Sequence, residues 1–393
     1  MSDQSSSRVL FLASQPFFEW RGSPIRLGFD VRALAENGYE VDFLTLPIGE
    51  EREIPGVRII RVPNLIFRKS IKIGPSVPKL IFDVIMLFRG LGLIMRNRYQ
   101  VIHGIEDAGA VACVLAGLAR CKLVFEKHSD PASYQGGGLR NAIMWAYSKV
   151  EAWTIKHADA VIGTGPALAE QARHTNPHTH AVEISDIPSS LESPDDNEVS
   201  RIRSSWVETS DDVLILYVGS FASYQGIDLM FESMESVLKN CERARLVVIG
   251  GKPDEVTARQ SQLDAAGVGQ KVTFAGFIAP DVLPSYLVAA DILLSPRVSG
   301  TNTPLKLLDY LKAGRLIVAT DHEANRLILS DDTAILAPID PKGFADAVMR
   351  AVNEPGVRES FSGRGEALLD SKYNYRVFKQ GLADCYAKIG VQS

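Results

Sequence analysis

Cysteine is scarce in this chain. The four thiols, Cys113, Cys121, Cys241 and Cys385, are scattered over 393 residues without the close pairs that a structural zinc site needs. Reduced, mostly buried thiols are expected, and a chain of this length is no small stapled scaffold. An excess of positive charge is also missing. Lys and Arg total 42 against 47 Asp and Glu, a net charge of -5, which gives no general attraction to nucleic acid and argues against DNA binding. Met1 to Ser7 carry neither a basic cluster nor an apolar run, so no secretory leader is recognisable and the cytoplasm is the expected compartment. Long apolar runs are absent too: Leu80 to Met95 is broken by Asp83 and Arg89 and falls short of the roughly 20 residues that span a bilayer. No G-x-S-x-G elbow and no H-E-x-x-H motif occur. His174, His178 and His180 have metal-like spacing but sit in a Pro-rich stretch without nearby cysteine, and no metal site is expected.

What remains is an ordinary soluble composition, 46% hydrophobic and 23% charged, in a chain long enough for two cores. Charge is unevenly spread. Between Arg58 and Arg98 nine basic residues (Arg58, Arg61, Arg68, Lys69, Lys72, Lys79, Arg89, Arg96 and Arg98) face one acid, Asp83. This surplus fits either a core helix with solvated flanks or a face that rests peripherally on anionic membrane lipid.

Short apolar runs alternate with helix-period segments. Val9 to Ala13, Glu40 to Leu46, Val101 to His103, Lys122 to Glu126 and Ala160 to Gly163 read as strands of a first parallel sheet. A second series follows at Val213 to Val218, Arg245 to Ile249, Val272 to Ala275, Ile292 to Leu294, Leu316 to Thr320 and Ala334 to Leu336. Thr175 to Val199, rich in Pro, Ser, Asp and Asn, is the linker candidate. The expected fold is α/β, two Rossmann-like doubly wound domains with an interdomain cleft: residues 1–187, residues 188–372, and a C-terminal helix at 373–393 returning to the first domain.

Three segments carry candidate chemistry. In Arg297 to Asp321, Thr303 and Pro304 suit an N-cap and first helical turn, and Gly314 suits the position after the helix end. Lys306 and Asp309 then share one helical face near free backbone N–H groups. That arrangement suits a phosphate and two ribose hydroxyls, or else an ordinary capped helix with one ion pair. The loop Gly219-Ser-Phe-Ala-Ser-Tyr-Gln-Gly226 follows a strand and allows close backbone approach, yet lacks the spacing of a dinucleotide fingerprint or P-loop, which disfavours NAD and ATP. Trp20-Arg-Gly-Ser-Pro24 repeats that logic in the first half. The polar strand ends His103-Gly-Ile-Glu106-Asp107 and Glu126-Lys-His128-Ser-Asp130 place titratable groups at a sheet edge, although a lone histidine is as easily structural.

Together these segments resemble the retaining, nucleotide-sugar-dependent glycosyltransferases of family four, which have GT-B architecture. The resemblance covers nearly the whole chain. It implies that Arg21, Gly22 and Ser23 approach the donor phosphates, that His128 lies beside the transferred sugar, and that Gly219, Ser220, Gln225 and Gly226 form the donor loop. Of the family's two acidic residues separated by seven intervening positions, Asp309 matches the second, expected to hold the ribose, while Thr301 stands at the first. Ser220 and Gln225 are neutral where the family carries a cationic pair, so Arg297, Lys306 and the helix start are expected to meet the diphosphate.

Base recognition falls around Gly276 to Ile278, and Asn302, Thr303 and Pro304 complete the donor side. His103, Glu106 and Asp107 are the acceptor-side candidates. The Y-x-G-S-F-x-x-Y-Q-G and G-T-N-T-P-x-K combination looks like a branch serving bacterial exopolysaccharide and surface-glycan assembly. The implied reaction moves a sugar from a UDP- or GDP-type donor to a glycan or lipid-linked acceptor with retention, without metal or other cofactor. His128, Lys306 and Arg297 would be its catalytic residues, and the domains would close about Ser185 to Pro194. A sugar-nucleotide 2-epimerase using Glu106, Asp107 and Asp130, a glycan phosphorylase, and an inactive donor-binding partner subunit are the rivals.

Overall fold

The computed structural model describes residues 7–17, 22–71, 76–130, 138–300, 303–361 and 363–392. The chain forms two compact units, Met1–Asp186 with Tyr375–Ser393, and Ile187–Asn374.

The first unit runs β1 (Arg8–Ala13), α1 (Gly22–Glu36), β2 (Glu40–Thr45), β3 (Val57–Arg61), α2 (Val77–Ile94), β4 (Val101–Ile105), α3 (Ala108–Ala119), β5 (Lys122–Lys127), α4 (Gly138–His157), β6 (Ala160–Gly163), α5 (Pro166–Thr175) and β7 (His180–Glu183). Its seven strands lie in the order β3-β2-β1-β4-β5-β6-β7, all parallel. The central strands are continuous apolar runs because helices cover both faces. Leu10, Leu12, Ile102, Leu123 and Phe125 meet Phe82, Met86 and Leu115 in one core.

The second unit runs α6 (Asp196–Trp206), β8 (Val213–Val218), α7 (Ile227–Asn240), β9 (Ala244–Ile249), α8 (Pro253–Ala265), β10 (Val272–Gly276), α9 (Leu283–Ala289), β11 (Ile292–Ser295), α10 (Lys306–Lys312), β12 (Leu316–Thr320), α11 (Glu323–Arg326), β13 (Ile335–Ala337), α12 (Pro341–Asn353), α13 (Pro355–Phe361) and α14 (Arg364–Lys372). Six parallel strands take the order β10-β9-β8-β11-β12-β13. Asp195 caps α6 by accepting from the Asn197 and Glu198 N–H groups, and Asp340 caps α12 through Gly343 N–H, with Pro341 opening the helix. Helix α15 (Tyr375–Lys388) packs on α1 in the first unit.

Three readings are corrected. The Pro-rich tract from Thr175 to Val199 is no uniform linker: it contains β7, the outer strand of the first sheet, and the start of α6. Strand β3 passed unnoticed. Both are edge strands, short and half-exposed, and lack the buried apolar run that marks their neighbours. Helix α10 begins at Lys306 rather than Pro304. Leu307 N–H donates to the Pro304 carbonyl at 2.9 Å and Leu308 N–H to that of Leu305 at 2.9 Å, so a tight turn leads in and no side chain caps the start. Gly314 does fill the left-handed position past its end, with φ +63°.

Candidate functional site

In the second sheet the strand order reverses between β8 and β11, and in doubly wound sheets ligands bind beyond the carboxyl ends of strands at such a switch point. The loops there are Gly219–Gly226 and the segment leading from β11 to α10. Tyr310 on α10 ties them together: its hydroxyl accepts from Val218 N–H at 2.9 Å and donates to the Leu294 carbonyl at 3.2 Å. This anchor aims Lys306, one turn earlier, at the end of β8.

Lys306 Nζ lies 4.2 Å from the Tyr217 ring centroid and donates to Gln225 Oε1 at 3.1 Å. The loop glycines admit this approach. A Cβ on Gly219 would stand 2.7 Å from the Tyr217 hydroxyl, and one on Gly226, at φ +74°, would fall 1.8 Å from the Pro296 carbonyl oxygen. Arg297 is buried, donates from Nε to the Ser299 carbonyl at 2.9 Å, and lies 5.4 Å from the Tyr224 ring centroid.

Neither cation pairs with a carboxylate among the described residues. Burial and the neighbouring Arg297 charge lower Lys306 to about 7, and burial lowers Arg297 as well. Asp309, three residues on, is no counter-ion. It accepts the Ser189 N–H at 2.6 Å, and burial raises it to about 6 against that bond. Two desolvated cations beside a glycine loop form a receptive site for an anion.

Ser220 contributes its carbonyl, which accepts from Tyr217 Oη at 3.0 Å. Gly276, with φ +69°, ends β10 and is followed by exposed Phe277 and half-buried Ile278. Thr303 is half-buried and Pro304 buried. Thr301, Asn302 and Arg21 lie outside the described residues.

In the first unit, Gly22 and Ser23 open α1 rather than forming a loop. His128, just past β5, hydrogen-bonds through Nε2 with Glu126 Oε1 at 2.6 Å. Glu106 is already engaged. Its Oε1 accepts from His128 N–H at 2.5 Å and Ser129 N–H at 2.8 Å, and its Oε2 accepts from Ser129 Oγ at 2.9 Å. The left-handed backbone at Glu106, φ +49°, delivers the carboxylate to that turn. Asp107 is ion-paired with Lys79.

His103 departs from the acceptor-side expectation. It lies inside the sheet, fully buried, 2.9 Å from the Tyr386 hydroxyl on α15 and with its ring centroid 4.7 Å from that of Phe11. Apolar strands on both sides leave it no open edge.

Sequence reading missed the group beneath His128. Buried Arg26 on α1 bonds Glu126 at 2.6 Å and Asp186 at 3.0 Å, with Asp30 at 3.9 Å. Burial alone would raise Glu126, but the Arg26 charge and the two histidine contacts hold it well below the carboxylate range; burial pushes Asp30 well above it. An Arg and an Asp four apart on a helix resemble a solvated pair, so only the loss of an apolar period in α1 hinted at burial.

Among the described residues no group of three His, Cys, Asp or Glu side chains is placed to hold a metal ion.

The comparisons follow this geometry. Residues 212–354 match the model for group 1 glycosyl transferases, and residues 26–184 match the glycosyl transferase 4-like domain. The fold is that of sucrose-phosphate synthase from Thermosynechococcus elongatus, with TM-score 0.75 at 18% identity, covering 98% of this chain and 99% of that one. The chain has the GT-B glycosyltransferase fold. Anabaena HepE, solved in complex with UDP and glucose, superposes on it with TM-score 0.73 at 12% identity over 97% of this chain and 99% of HepE. In sequence the chain is 26% identical to the alpha-D-kanosaminyltransferase of Streptomyces kanamyceticus over 183 residues. That match covers 46% of this chain and spans 47% of the Streptomyces enzyme.

Proposed function

We propose that this glycosyltransferase moves a sugar from a nucleoside diphosphate sugar to a glycan or lipid-linked acceptor, with retention of configuration, in bacterial surface polysaccharide assembly at the cytoplasmic side of the membrane. One observation carries the donor reading: Lys306 and Arg297, both without a carboxylate partner among the described residues, stand at the switch point of the second sheet beside Gly219. A diphosphate supplies the two negative charges this site lacks, and backbone groups of the Gly219–Gly226 loop can approach it without side-chain obstruction.

As the donor bond breaks, charge accumulates on the leaving diphosphate, and cations fixed in place stabilise that charge without reorganising. Asp309 would exchange its Ser189 N–H bond for ribose hydroxyls. His128, held through Glu126, would orient the sugar or acceptor, and no metal is invoked. HepE was solved with UDP and glucose, and the resemblance to family four supplies the retaining outcome.

The test is calorimetric titration with UDP-, GDP- and ADP-sugars with and without magnesium, followed by determination of the product anomer. Metal-independent binding of one nucleotide class, weakened about 10- to 100-fold in Lys306→Met, supports the reading. A protein that binds none of them, or whose product is inverted, overturns it.

A further inference from the structure

The outer face of the first unit is unusual in what it exposes. Helix α2 packs on α3 and α3 on α4, forming one layer over the sheet. Helix α2 turns Phe82, Met86, Gly90 and Leu93 inward, yet Val77, Leu80, Ile81, Val84 and Phe88 are exposed on the opposite side, Leu80 at 64% and Phe88 at 68%. On α3, Val114 and Leu118 are exposed, and on α4 so are Ile143, Trp145, Val150 and Trp153. Phe67, in the loop before α2, is 88% exposed. Of the 20 large hydrophobic side chains exposed among the described residues, 14 lie between Leu65 and Trp153, and Ile187–Asn374 contributes 5.

The charges on this face have one sign. Among the described residues, Arg68, Lys69, Arg89, Arg96, Arg98, Arg120, Lys149 and Lys156 are exposed without an ion-pair partner, and no Asp or Glu between residues 65 and 157 is exposed. The acids there are turned inward and used: Asp83 bonds Ser14, Asp107 pairs with Lys79, and Glu151 pairs with Lys127.

We propose that the α2–α3–α4 face docks on an anionic lipid bilayer, with its apolar and tryptophan side chains entering the headgroup boundary and the Arg and Lys side chains meeting lipid phosphates. An apolar layer studded only with cations and carrying tryptophans matches that boundary chemically. A second copy fits worse, because apposing two such faces brings like charges together. No described helix is long and apolar enough to cross a membrane, so contact is peripheral.

The proposal stands independently of the donor site. The full chain, without nucleotide, is mixed with vesicles of phosphatidylcholine alone or with phosphatidylglycerol, at low and high salt, and binding is read by cosedimentation and tryptophan emission. Binding to the anionic vesicles only, a blue shift, and release by salt are expected. The triple variant R89Q/R96Q/R98Q should weaken partitioning about 100-fold, from about 1 kcal/mol per cation. Phe88→Ser with Trp145→Ser should abolish the apolar part, and Ile339→Ser, an exposed position on the other unit, should bind as the parent does. Thermal melting and donor titration of each variant separate loss of docking from loss of fold or donor binding. Absence of binding to anionic vesicles at low salt overturns the proposal. So does unchanged binding by folded variants, or sedimentation showing a dimer that Phe88→Ser dissolves.

Discussion

Lys306 makes the sharpest prediction because its protonation should change when the donor arrives. With its ammonium lowered to about 7 by burial and the Arg297 charge, the free protein at pH 8 holds a proton on about 10% of Lys306 side chains. A diphosphate against Nζ supplies opposite charge, which favours the charged form and returns the group toward its ordinary value of about 10.4. Binding at pH 8 should therefore take up about 0.9 proton per nucleotide sugar, and at pH 6, where the side chain is already about 90% charged, only about 0.1.

A nucleoside diphosphate sugar is the right probe, since its doubly substituted diphosphate has no proton to exchange in this range. The uptake appears in calorimetry as a binding enthalpy that shifts with the ionisation enthalpy of the buffer, so Tris and HEPES titrations at each pH suffice. Lys306→Met should abolish the buffer dependence and weaken binding by about 1.5–3 kcal/mol, roughly 10- to 100-fold. Because Met removes a disfavoured buried charge, the unliganded variant should melt no lower than the parent at pH 6. Equal enthalpies in the two buffers at pH 8, or uptake persisting in Lys306→Met, would refute the assignment of Lys306 to the diphosphate.

Three further outcomes follow from the same geometry. Gly226→Ala drives a Cβ into the Pro296 carbonyl at a left-handed φ, and chemical denaturation should show a loss of about 2–4 kcal/mol. Asp309 is raised to about 6, so the folded state favours the protonated form and its ionisation destabilises the fold as pH rises from about 4 through 6. Asp309→Asn, which keeps an acceptor for Ser189 N–H, should raise the melting temperature at pH 8 and leave it nearly unchanged at pH 4. Arg26→Met strands Glu126 and Asp186 without their cation and should cost about 3–5 kcal/mol at neutral pH, measured by urea unfolding.

These outcomes show where sequence reading succeeds and where it stops. The central strands were legible because each is buried on both faces and so must be a continuous apolar run, as in Val213–Val218. The edge strands His180–Glu183 and Val57–Arg61 escaped because half-exposure removes that constraint. At the site, spacing correctly brought Lys306 and Asp309 onto one short helix but left open whether they pair with each other or face a ligand. The structure instead gives Asp309 to Ser189, 120 positions away in sequence, and gives Lys306 to Gln225, 81 positions away. Glu106 shows the same effect: its position at a strand end suggested a carboxylate open to an acceptor, yet both oxygens are taken by Ser129 and the His128 backbone. Helical spacing says which charges can meet. Which of them remain unanswered depends on segments that arrive from far along the chain, and a local reading mistakes engaged carboxylates for free ones. The charges left over after that competition, Lys306 and Arg297 on the second unit and the cations of the α2–α4 face on the first, are where an anion from outside the protein has something to neutralise.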